Sequence, residues 1–110
     1  MIQTTRKPDT VGQILAEEFM EPLGLTQARL AQAMGVPRKH VNELCTNRRA
    51  ITADTALMLA AVFDTSPDFW LNLQHRNDLW AAMNSPDRRA RIERAHPIKR
   101  DHDKEFAAFS

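Results

Sequence analysis

The chain has 110 residues, 43% of them hydrophobic and 26% charged, and its 15 Lys and Arg against 14 Asp and Glu leave a net charge of +1. These are the proportions of one small globular domain, and the near balance argues against a globally basic nucleic-acid coat protein. No apolar run approaches the roughly 18 residues of a membrane span, no apolar stretch follows the charges of MIQTTRKPDT, and the single Cys45 permits neither an intrachain disulfide nor a cysteine-built zinc cage, so a cytoplasmic protein held by its core is expected.

Residues 1–9 read as a lead-in ended by Pro8. From Thr10 the pattern turns helical, with Thr10 as cap and Ile14, Leu15 and Phe19 on one face, until Pro22 and Gly24 stop it. Thr26 caps a second helix, QARLAQAM, with Leu30, Ala31 and Met34 inward; Gly35 follows where a left-handed backbone is cheap. Pro37 suits the first turn of a third helix running to about Thr46, striped by Val41, Leu44 and Cys45. After a polar turn at 47–51, Thr52 caps a fourth helix with Ala56, Leu59, Ala60 and Phe63 inward. Ser66-Pro67-Asp68 is a start signal of cap, proline and acid for a fifth helix to about Met83, and Asn84-Ser85-Pro86 is expected to close the fold. No period-2 alternation or hairpin dipeptide is present, so the chain reads as all-α: a five-helix domain over residues 10–85 and a charged tail over 86–110, with a short helix allowed in RRARIER.

Charge is unevenly placed. The tail carries seven basic side chains against five acidic ones, and residues 38–49 hold Arg38, Lys39, Arg48 and Arg49 against Glu43 alone. Helices two and three, joined through Gly35, have the spacing of a helix-turn-helix, in which the small Ala31 allows a close crossing. The outer face of helix three then bears Arg38, Lys39, His40, Asn42 and Glu43. Cations at a helix start oppose its dipole, so a negatively charged partner explains them better than structure does. An α-helix fits the DNA major groove, where Arg or Lys donates to guanine, Asn pairs with adenine and Glu accepts from cytosine. Gln27 is placed to reach a phosphate, and Arg48 and Arg49 the flanking backbone. The competing interpretation is a solvated charged face on a plain helical bundle.

GLTQARLAQAMGVPRKHVNEL resembles the helix-turn-helix of the phage-repressor-like (Xre/Cro) superfamily. With GQILAEEFMEPLGLTQ, NRRAITADTALMLAAVF and TSPDFWLNLQHRNDL, residues 10–80 are similar to the HigA-type antitoxins, also called the virulence-associated protein I family; Trp70, Leu73, Gln74 and Asp78-Leu79 are its most specific features. Asn77 stands where an aromatic is usual, and Cys45 and Asn47 replace more usual choices beside a turn where glycine is common. The resemblance implies a phage-repressor-like fold, operator contacts by Gln27, Arg38, Lys39, His40 and Glu43, repression of the protein's own operon, and neutralisation of a co-encoded HigB-type toxin, an mRNA-cleaving ribonuclease.

Helix five carries more apolar surface than one core face uses, so a homodimer through Phe69, Leu73, Trp80 and Met83, with Leu57 and Val62 of helix four, is expected. Two recognition helices about 34 Å apart would match successive major grooves of a palindrome. His40, His75, His96 and His102 are scattered, and no HExxH, CxxC, GxSxG or P-loop pattern occurs, so no catalytic residue, metal, cofactor or small-molecule substrate is expected. A protein-binding module that ignores DNA and a free-standing regulator without a toxin remain open at this level.

Overall fold

A computed structural model describes residues 6–99. Among them there are helices and no strands: α1 (Val11–Ile14), continuing as a π-helical turn over Leu15–Met20, α2 (Gln27–Met34), α3 (Arg38–Cys45), α4 (Ala53–Phe63), α5 (Pro67–Asn84) and α6 (Pro86–Ile92). Local chemistry sets most of the boundaries. Thr10, Thr26, Thr52, Ser66 and Ser85 each have extended backbone, and each hydroxyl accepts the backbone N–H three residues on, satisfying a donor that the first turn leaves orphaned. Gly35 ends α2 with φ 76°, and Asp64 ends α4 with φ 54°. α3 differs from its neighbours: Pro37 sits at the cap position itself rather than in the first turn, and no side chain caps the helix.

Two departures from the sequence expectation have clear causes. The first helix closes through i to i−5 hydrogen bonds, Glu21 N–H to Ala16 and Leu25 N–H to Met20, a wider turn that apolar periodicity does not reveal. The second departure concerns α6, the short helix allowed in RRARIER, which starts two residues before that segment. Asn84-Ser85-Pro86, expected as a stop, is also a start, because Ser85-Pro86-Asp87 repeats the Ser66-Pro67-Asp68 signal and Ser85 Oγ caps α6. Residues 100–110 of the charged tail, Arg100, His102 and Lys104 among them, lie outside the described residues.

The core is Val11, Leu15 and Met20 of the first helix, Leu30, Ala31 and Met34 of α2, Val41 and Leu44 of α3, Ile51, Ala56 and Leu59 around α4, and Trp70 and Leu73 of α5. Trp70 is fully buried, its Nε1 donates to Thr65 Oγ1 at 2.8 Å, and Phe19, Phe63 and Phe69 surround it at centroid distances of 4.8, 6.2 and 5.0 Å. Leu73, expected in a dimer contact, is 5% exposed and belongs to this core. Phe69 stays partly exposed, while Leu57 and Leu79 are exposed outright. No helix among the described residues is long and apolar enough to cross a membrane.

Candidate nucleic-acid interface

α2 and α3 pack directly on each other, with Leu30, Ala31, Val41 and Leu44 at the contact, and this crossing turns the opposite side of α3 outward. Arg38, Lys39 and Asn42 are exposed on it, whereas His40 and Glu43 are half-buried. Neither Arg38 nor Lys39 has an acidic partner among the described residues. The other polar members are more constrained than their sequence positions suggest. Asn42 Nδ2 donates to Gln27 Oε1 at 3.2 Å, so the amide expected to meet adenine also orients the side chain expected to meet phosphate.

Glu43 is engaged in the same way. Its carboxylate takes Nε and Nη2 of Arg49 at 2.9 and 2.6 Å, while its backbone carbonyl accepts the N–H groups of Arg48 and Arg49. The hydrogen bond from Arg49 holds the Glu43 carboxyl below its usual range, with nearby Lys39 adding to the effect. Without DNA, Glu43 is thus one member of an ion pair with Arg49, made through a single carboxylate oxygen. Burial, then the adjacent Arg49, pushes His40 below the ordinary histidine value, and its Nε2 has no partner among the described residues. Cys45, expected on the apolar stripe, is half-buried, its thiol lies 3.7 Å from Met20 Sδ, and burial raises its pKa.

Sequence reasoning missed the groups that hold α3 in place. Asn47 has φ 60°, a left-handed conformation that asparagine tolerates better than most residues. Its Oδ1 accepts the Gly12 N–H at 2.9 Å and its Nδ2 donates to Thr10 Oγ1 at 3.0 Å, tying the start of α1 to the end of α3. The approach is so close that a Cβ on Gly12 would collide with the Cys45 carbonyl oxygen and lie 2.6 Å from that of Leu44. Gln74 provides a second tie, since its Oε1 accepts the Ile51 N–H at 2.9 Å and its Nε2 donates to Asp78. The available clue was Asn47 occupying a turn position where glycine would be usual. Among the described residues no cluster of His, Cys, Asp or Glu could hold a metal ion.

A helix-turn-helix family model matches residues 17–70, from the π-helical turn of the first helix to the start of α5. A protein of Vibrio cholerae named antitoxin HigA-1 is 48% identical over 84 residues, covering 76% of this chain and 79% of that one. The chain belongs to the HigA family of helix-turn-helix proteins. Within the HigA-like relatives, names diverge: one from Haemophilus influenzae, 44% identical over 90% of this chain and 92% of its own, is called an uncharacterized HTH-type transcriptional regulator. The Pseudomonas aeruginosa antitoxin HigA, solved with the higBA promoter, superposes with a TM-score of 0.74 at 35% identity, covering 84% of this chain and 99% of that one. Three residues on which the resemblance rested have structural roles here: Trp70 and Leu73 fill the core, and Gln74 joins the loop after α3 to α5.

Proposed function

We propose that this chain is the antitoxin of a type II toxin–antitoxin pair: a dimeric, sequence-specific autorepressor that also binds and neutralises a HigB-type ribonuclease toxin. The outward face of α3 carries the DNA half of this reading, because it presents Arg38 and Lys39 unpaired at the start of a helix whose dipole disfavours them. Arg38 and Lys39 read guanine edges, Asn42 and Gln27 act as a linked pair at base and phosphate, and His40 packs beside them. Arg48 and Arg49 hold the flanking backbone, with Glu43 fixing Arg49. The toxin half rests on kinship with proteins named HigA antitoxin. The dimer contact runs along α5 through Phe69, Met83 and the edge of Trp80, joined by the exposed Leu79 and by Leu57 of α4. In this reading the protein is cytoplasmic and takes no cofactor, metal or small-molecule substrate.

Co-expression with the product of the adjacent gene, followed by footprinting on the DNA upstream of both, tests the whole reading. Expected are a stable complex that silences RNA cleavage and two protected half-sites related by a two-fold axis. Protection of a palindrome with no adjacent ribonuclease would favour a free-standing regulator, the reading that the name of the Haemophilus influenzae relative supports. Absence of any protected site would exclude both. Leu79→Asp should lower the mass measured by light scattering; an unchanged mass would place the dimer contact elsewhere.

A further inference from the structure

A cleft opens beside the loop after α3, where the Asn47–Thr10 and Gln74–Asp78 hydrogen bonds form part of its wall. It has a volume of about 380 Å³ and lies between residues 7–10, the loop after α3 and the second half of α5. Its walls bring together Lys7, Arg48 and Arg49, with Asp78 as the facing carboxylate. Arg49 is paired with Glu43, and Asp78 Oδ1 accepts from Gln74. Lys7 and Arg48 have no acidic partner among the described residues. Trp80 lines the same cleft, and its buried Nε1 has no acceptor among the described residues.

The arm that carries Lys7 is held down. Asn77 Nδ2 donates to the Asp9 carbonyl at 3.0 Å and to Leu73 at 2.8 Å, and Lys7 Nζ lies 5.7 Å from the centroid of the Trp80 ring, within cation–π range. Asn77 thus spans from α5 to residues far away in sequence, at a position where the family resemblance leads one to expect an aromatic.

We infer that this cleft seats a backbone phosphate of bound DNA, gripped by Lys7 and Arg48 beside the Trp80 ring, and that Asn77 is the positioning residue for the arm. This rests on the reading of α3 as the DNA-contacting helix. Arg48 and Arg49 leave directly from the end of α3, so the cleft adjoins the element that would lie in the groove, where phosphates flank it on both sides. Donors outnumber acceptors in the cleft, as an oxyanion requires. An acidic side chain of a protein partner would share that chemistry, but nothing ties such a partner to the neighbourhood of α3.

Two measurements on the full chain test the inference. The sequence has two tryptophans, giving two indole N–H signals in a nitrogen-15 spectrum; Trp70, bonded to Thr65 in the core, is an internal control. Saturation with operator duplex should move the Trp80 signal and leave that of Trp70 in place. In binding titrations across salt concentrations, Lys7→Ala and Arg48→Ala should each reduce the slope of log affinity against log salt by about 0.9 per protomer, hence about 1.8 for a dimer on both half-sites, and weaken operator and unrelated duplex alike, about three- to tenfold per protomer. Asn77→Ala should weaken binding about threefold with the slope intact, because the cation is still present but no longer held. An unmoved Trp80 signal at saturation, or a wild-type slope in Lys7→Ala, overturns the inference. So does a Trp80 shift produced by inorganic phosphate but not by DNA, which would mark a small-anion site, or one produced only by the co-encoded protein or by raising the chain's own concentration. Failure of the wild-type chain to bind operator at all defeats the DNA reading itself, an outcome distinct from an unaffected Lys7→Ala.

Discussion

Helices α3 and α5 use their side chains in opposite ways. α3 commits Val41 and Leu44 to the core and turns charge outward, so its eight residues divide into one apolar stripe and one polar face. α5, with 18 residues, buries only Trp70 and Leu73, then runs on past the core with Leu79 exposed and Trp80 half-covered by the N-terminal arm. A short helix with strictly divided duties can be assigned from its sequence pattern. A long one that serves core, arm, loop and surface in turn cannot, because no single period describes it.

The sharpest way to break this contrast is in the core half of α5. Trp70→Ala is expected to cost about 3–5 kcal/mol, read as a lower urea midpoint at unchanged slope, because it empties the centre of the aromatic cluster. A loss below about 1 kcal/mol would mean that the cluster is loosely packed. Next, Gly12→Ala should destabilise by about 3 kcal/mol, since the added methyl meets the backbone carbonyls of Cys45 and Leu44, which have no flexible end to move aside. A neutral result would separate α1 from α3.

On the α3 side, Arg38→Ala should cost about 1–3 kcal/mol in operator binding at unchanged folding stability, with most of the loss absent on unrelated DNA. Equal losses on both DNAs would make Arg38 a phosphate contact. The smallest effect concerns His40. Its folded pKa lies below the unfolded reference of 6.5, so the unfolded chain binds the proton more readily and folding stability should fall as pH drops from 6.5 towards the folded value. Glu43, also lowered, contributes in the same direction but at more acidic pH, through the ordinary carboxylate range. Urea midpoints measured between pH 8 and 5 in wild type and His40→Gln check this; parallel curves would remove His40 as a contributor.

What could be read from the sequence follows from how locally each feature is encoded. The helix starts rest on a cap and its own first turn, so Thr10, Thr26, Thr52 and Ser66 are recoverable one by one. The helix-turn-helix is nearly as local, because Ala31, Gly35 and Val41 fall within a dozen residues. The repeated Ser85-Pro86-Asp87 shows the limit: identical chemistry can close one element and open another, and only α6 reveals that both happen. The outward polar face of α3 was legible as a set of residues but not as a network. That Asn42 serves Gln27, that Glu43 serves Arg49, and that Asn47, Gln74 and Asn77 fasten loop and arm depends on partners 6 to 68 positions away. Leu73 failed as a surface residue for the same reason, since burial of one face of α5 is decided by α1 and α4.

The absent side chain at Gly12 has a consequence for how the molecule accommodates different operators. With α1 seated on the terminal carbonyls of α3 and locked there by Asn47, the probe helix has no joint of its own, and tilting it means carrying the whole bundle along. In the proposed dimer, adjustment to half-sites that are spaced or twisted differently then falls to the contact between the two chains, or to the duplex bending to meet them.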